Sequence, residues 1–269
     1  MSLYENGPAP NKHYGLFNWY GVFTLYKKEF LRFMGMPMQT LVAPAMTAIL
    51  FLIVFSIAIG RGNVDVAGIP FNQFIVPGLI MMAIIQNAFS NATSSLMISK
   101  LQGNIVDILM PPLTSIELLI GLTLGGATRG IVVGAFVALV LYFFVEVSFH
   151  NFFFIISFSF LGSILLSLIG VIVGIWAYKF DEIATITNFI ITPLSFLSGT
   201  FYSVDRLPEI FQKFTLFNPF FYMIDGFRSG FIGYSDSNLI IGLVYLLGLN
   251  VIMFIVGYFI IHKGYKLKS

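Results

Sequence analysis

The chain has 269 residues, 58% of them hydrophobic and 17% aromatic, with only 10% charged and a formal net charge of +2. Soluble domains carry about 25% charged residues, so a water-soluble enzyme is excluded as a starting model, and so small a charge offers no basic face for nucleic acid. The absence of cysteine removes disulfides, thiolate metal sites, iron–sulfur clusters and cysteine nucleophiles.

The N-terminal 15 residues contain Pro8 and Pro10 and no apolar run, which does not fit the core of a signal peptide. Segment 1–37 is therefore expected to stay polar and to end in an interface helix. There Leu16, Trp19, Tyr20, Phe23, Tyr26, Phe30, Phe33 and Met34 recur at spacings of three and four, with Lys27, Lys28 and Arg32 between them. This is the pattern of an amphipathic helix lying on a membrane face.

A helix crosses about 30 Å of hydrocarbon with about 20 apolar residues, and six runs of that kind follow. Residues 38–60 form the first, with Pro44 in its early turns, and residues 73–93 the second, with a polar end of Gln86, Asn87, Ser90 and Asn91. Amides are costly against lipid, so this stripe should face helices or a water-accessible path. Segment 94–117 holds Lys100, Gln102, Asn104, Asp107 and Pro111-Pro112, and is read as a short helix and elbow at the membrane surface.

The third span, 118–145, is rich in small residues that let helices approach closely and carries Arg129. Arg129 is read either as a substrate or gating contact or as a structural anchor. Spans four (152–177) and five (183–199) follow, the fifth short and interrupted by Pro193. Segment 200–238 is too apolar for a loop, and its helical repeats suggest two short helices dipping into the outer bilayer before the last span, 239–261.

Lysines and arginines set the orientation. Lys12, Lys27, Lys28, Arg32, Lys100, Lys179, Lys263, Lys266 and Lys268 fall on one side, against Arg61, Arg206, Lys213 and Arg228 on the other. Both termini are expected to be cytoplasmic, with 263–269 a basic tail.

Reactive chemistry is sparse. His13, His150 and His262 are scattered outside the spans, no HExxH motif is present, and Asp181-Glu182 is the only acidic pair. No metal site or cofactor is expected on this chain. No GxxxxGK[ST] phosphate loop occurs, so ATP and magnesium would belong to a separate subunit. The spans also lack central carboxylates, which weakens the alternative of an ion-coupled secondary transporter.

Several segments together, in order, resemble the ABC transmembrane type-2 family, and specifically the small inner-membrane permeases of bacterial ABC exporters. These are KKEFLRF with QTLVAPAMTAILFLIVF, QFIVPGLIMMAII, LQGNIVDILMPPLTSIELLIG, FDEIATITNFIITPLSFLSGTFYSVDRLPEIF and NPFFYMIDGFRSGFIG. The resemblance implies an all-α integral membrane protein whose domain, 38–262, has six transmembrane helices, preceded by the interface helix and with short re-entrant outer helices before the last span. It implies a second copy of the chain, cytoplasmic nucleotide-binding subunits and membrane lipids as partners, and no nucleic acid.

By position, the resemblance makes Lys27, Lys28, Arg32, Lys100, Gln102, Asn104 and Asp107 the ATPase-coupling residues. It makes Leu207, Pro208, Phe211, Phe214, Asn218, Pro219 and Arg228 an outer re-entrant gate. Gln86, Asn87, Ser90, Asn91 and Arg129 remain candidates either to line the pathway or to pack helices. Export of a small amphipathic, drug-like or lipid-linked compound is the expected activity.

Overall fold

A single helix, α3 (Phe71–Leu101), organises the rest. In the computed structural model, which describes residues 17–60, 65–66, 68–204 and 207–264, α3 is buried along most of its length, whereas α2 (Ala43–Gly60) and α11 (Leu239–His262) are peripheral and largely exposed. The expected polar N-terminus, and Lys12, His13, Arg61, Arg206, Lys266 and Lys268, lie outside the described residues.

Helix α1 (Trp19–Met34) is amphipathic as expected, burying Val22, Leu25, Glu29 and Phe33 while Lys27 and Lys28 stay exposed. A π-helical turn, Met38–Val42, leads into α2. Proline has no N–H to give the carbonyl four residues back and its ring crowds that carbonyl, so a widened turn ahead of Pro44 relieves the clash. After a two-stranded hairpin, β1 (Asp65–Val66) with β2 (Ile69–Pro70), α3 runs back through the bundle.

The second span is longer than its hydropathy suggests, because α3 continues eight residues beyond 93 to Leu101. Leu96 and Met97 are buried, and the Ser99 hydroxyl donates to the Ser95 carbonyl, so this polar stretch is packed helix. The elbow therefore starts at Gln102, contains the short α4 (Ile105–Leu109), and leaves Lys100 in the last turn of α3.

Helix α5 (Ser115–Tyr142) starts earlier than expected because Thr114 and Glu117 form a capping box. Its small residues work on two faces. A Cβ on Gly121 or Gly125 would stand 2.7 Å from Leu25 or 2.5 Å from Glu29 of α1, whereas one on Gly130 would stand 2.7 Å from the Ile84 carbonyl of α3. One helix thus receives α1 and α3 at near-backbone distance. Helix α6 (Phe152–Trp176) packs along α3 in the same way through Gly170.

The expected fifth span is a broken run: α7 (Phe180–Ile186), a π-helical turn (Thr187–Ile191) and α8 (Thr192–Leu197). Pro193 follows its π turn at the same spacing as Pro44 follows the first. Among the described residues, five helices are long and apolar enough to cross a membrane, and this run is not one of them. Helices α9 (Glu209–Thr215) and α10 (Pro219–Ile232) precede α11. They differ sharply: Phe211 and Phe214 on α9 are exposed, while α10 is buried from Phe220 to Phe231.

Candidate functional site

Among the described residues, two clusters of buried polar contacts stand out, one where α1 meets the bundle and one around α10. In the first, the Glu29 carboxylate is 1% exposed. Its Oε1 accepts from the Ser95 hydroxyl at 2.6 Å and its Oε2 from Arg32 Nη2 at 3.0 Å. Arg32 also donates to the Asn91 carbonyl at 3.0 Å and side-chain Oδ1 at 2.8 Å. The Glu29–Arg32 ion pair and its bonds to Asn91 and Ser95 bolt α1 to the C-terminal third of α3.

A second bolt joins the start of α1 to the start of α5. The Asn18 backbone N–H donates to Glu117 Oε1 at 2.5 Å, the Asn18 side chain donates to the Pro112 carbonyl at 3.2 Å, and Asn18 Oδ1 caps α1 by accepting from Gly21 N–H. Glu117 Oε2 accepts from Thr114 N–H at 2.7 Å. The elbow and the interface helix are thus held by one carboxylate. Between them lies a cleft of about 260 Å³ whose lining includes Tyr20, Lys28, Asp107, Ile108 and Leu113.

The expected coupling residues divide accordingly. Lys27, Lys28, Gln102, Asn104 and Asp107 are exposed on this end of the molecule. Arg32 points inward, and the Lys100 ammonium donates to the Ile175 and Ala177 carbonyls, closing the C-terminal end of α6. Those two hold the scaffold beneath the exposed surface.

The polar stripe of α3 also divides. Asn91 is buried in the α1 bolt, Ser90 is exposed, and Gln86 and Asn87 line a groove of about 220 Å³ between α2 and α3. Arg129 reaches Asn87 Oδ1 at 3.4 Å, and its Nε is buried with no hydrogen-bond partner. The structure therefore brings Asn87 and Arg129 together but gives Asn91 to helix packing.

At the other end, Arg228 is fully enclosed. Its guanidinium lies 3.9 Å from the centre of the Phe74 ring and donates to the Gly199 carbonyl. Gly199 has φ +76°, a left-handed turn that presents this carbonyl. Asp225 accepts from the Asp236 and Ser237 N–H groups at 2.8 and 3.0 Å and from the Ser237 hydroxyl at 2.6 Å. Asp236 in turn accepts from the Ser203 hydroxyl at 2.7 Å and Val204 N–H at 3.1 Å. Asn218 caps α10 and donates to Ser198 Oγ at 2.7 Å, with Pro219 in the first turn. Of the expected gate residues, Pro208, Phe211 and Phe214 are exposed, Leu207, Asn218 and Pro219 are half-buried, and Arg228 is interior.

Comparison with known proteins agrees with this architecture. The model of the ABC-2 type transporter family matches residues 20–232. The chain belongs to that family. It is 38% identical over 251 residues to the inner membrane transport permease YadH of Escherichia coli K12, covering 93% of this chain and 98% of that protein, and the YadH of Shigella flexneri gives the same figures. A shorter stretch of 70 residues is 34% identical to nodulation protein J of Rhizobium leguminosarum bv. viciae, covering 26% of this chain and 27% of that protein. The molecule is thus a multi-pass ABC-2 permease, a membrane subunit of a kind whose ATPase is carried on a separate chain.

Glu29, Asn18, Ser95, Asp225 and Asp236 are the residues the sequence reading passed over. Glu29 had a signal, since it sits with Val22, Leu25 and Phe33 on the apolar face of α1, three residues before Arg32. Asp225 likewise precedes Arg228 by three residues inside an aromatic run.

Proposed function

We propose that this permease forms, as a homodimer on two nucleotide-binding subunits, the inner-membrane pathway of an ATP-driven exporter of a small amphipathic compound. In this reading both termini are cytoplasmic, the broken run 180–197 serves as the sixth crossing, and α9 and α10 are the outer re-entrant pair. YadH, similar over nearly the whole chain, is named as an inner membrane transport permease, which supports the location.

The observation that carries the reading is the double bolt on α1. Short polar contacts bind α1 to α3 through Glu29 and Arg32, and to α5 through Asn18 and Glu117. Exposed Lys28 and Asp107 flank a mostly apolar cleft beside it. A partner seated there moves α1 and the elbow, and the bolts pass that rigid-body displacement to the two central spans. The permease needs no reactive side chain for this; it needs two arrangements close in energy.

The test is purification of the tagged protein from its own membranes in mild detergent, with identification of co-purifying chains and assay of ATP hydrolysis. The expected result is a stoichiometric phosphate-loop ATPase with vanadate-sensitive activity. Substrate movement on an ion gradient by the protein alone would overturn the reading.

A further inference from the structure

The groove between α2 and α3 is graded in polarity along its length. Because the two helices run antiparallel, Gln39 of the π turn faces the Gln86–Asn87 end of α3, while Phe51 faces Leu79 at the other end. The polar end is the α1 end: Asn87 lies one turn before Asn91, which binds Arg32. Behind Asn87 stands Arg129, whose contact to Asn87 Oδ1 is long at 3.4 Å. No carboxylate pairs with Arg129 among the described residues, since Glu29 is committed to Arg32 and Ser95. Gln39 and Gln86 make no side-chain hydrogen bond among the described residues, so their amide donors are available to a ligand.

We propose that this groove binds an anionic amphipath from the cytoplasmic leaflet, its phosphate or carboxylate head at Gln39, Gln86 and Asn87 and its chain along Phe51 and Leu79. The leaflet assignment rests on the orientation given under the proposed function; the chemistry does not. An uncompensated cation in a low-dielectric wall attracts an anion strongly. The Gln39 and Gln86 amides supply neutral donors for a head group, beside the one Asn87 N–H not given to the Ala83 carbonyl, and the apolar end sits where a chain would point toward the bilayer centre. The head-group anion completes a charge balance that the chain itself leaves open.

The experiment is native mass spectrometry of the full-length permease in mild detergent, without ATPase. It is titrated in separate arms with phosphatidylglycerol, with phosphatidylcholine of the same chains, and with inorganic phosphate. Phosphatidylglycerol should bind about tenfold tighter than phosphatidylcholine, the size of a charge-assisted contact, and inorganic phosphate alone should not be retained. Arg129→Lys should keep the preference and Arg129→Gln should abolish it. Thr47→Phe, at an exposed position lining the groove, should weaken phosphatidylglycerol binding without disturbing the core.

Equal binding of the two lipids, an undiminished preference in Arg129→Gln, or unchanged binding in Thr47→Phe would overturn the proposal. Retention of phosphate alone would also overturn it, replacing an amphipath site with a simple anion site. Loss of dimer mass in Thr47→Phe with lipid binding intact would assign the groove to a second copy instead. Since no ATPase is present, failure here leaves the exporter reading standing, and failure of that reading leaves the binding result standing.

Discussion

The two polar clusters are built from the same kinds of side chain but connect different things. At the α1 end, the Glu29–Arg32 group joins residues about 60 positions apart, and Asn18–Glu117 joins residues 99 apart. Around α10, Asp225 binds residues only 11 and 12 positions away, and Asp236 reaches back to 203 and 204. The first cluster fastens separate helices to each other and can carry movement between them. The second mainly folds segment 198–237 onto itself, with Arg228 set against Phe74 of α3, and sets the shape of that end of the bundle. Position in sequence thus separates a joint from a frame.

Breaking the joint should have the largest effect. Glu29→Ala takes the carboxylate from Arg32, which keeps its bonds to Asn91, and leaves the buried Ser95 hydroxyl without its acceptor, at a cost of about 1–3 kcal/mol. Thermal melting should fall accordingly, limited proteolysis should release α1, and ATPase retention should drop. Next comes the close packing of α5, one of the helices the joint holds, against α6 and α3. Gly126→Val would place a Cβ 2.2 Å from Ser167 Oγ and 3.0 Å from the Ala88 carbonyl. Overpacking of this kind costs about 1–3 kcal/mol, read as lowered melting with α1 still protected from protease.

The frame gives the contrasting outcome. Asp225→Ala removes the acceptor of the half-buried Asp236 and Ser237 N–H groups, at about 1 kcal/mol. It should destabilise the protein while ATPase retention, measured by co-purification, stays normal. The smallest stability effect should come from Asp107→Lys on the exposed elbow, within about 0.5 kcal/mol. That variant should insert and melt normally yet lose the ATPase. Normal retention would remove Asp107 from the docking surface.

Much of this architecture could be read from the residues. Helix α6 and helix α11 follow their apolar runs to within one residue, because long unbroken hydropathy leaves one solution. Where polar residues enter, hydropathy misleads. Ser94–Ser99 reads as surface, but serine hydroxyls satisfy themselves on helical carbonyls, so α3 continues. The fifth span, 183–199, reads as short and interrupted by Pro193, but the π turn ahead of the proline and the earlier start at Phe180 depend on backbone geometry. Arg32 and Lys27 look alike in sequence; only the third dimension shows that one turns into the bundle and the other away. Helix α10 was legible as a helix, but not its burial from Phe220 to Phe231, because an apolar surface alone does not say whether lipid or other helices cover it.

The central claim is that α1 moves as one body with α3. The absence of native cysteine permits its most direct test, double electron–electron resonance between spin labels at Phe23→Cys on the exposed face of α1 and Leu101→Cys at the exposed end of α3. Distances would be recorded on the complex with its ATPase, with and without trapped nucleotide. The account predicts one narrow distance that does not change with nucleotide, and a broadened distribution when Glu29→Ala is added. A distance that shifts with nucleotide in the otherwise unaltered chain would show α1 sliding over α3, and would contradict it.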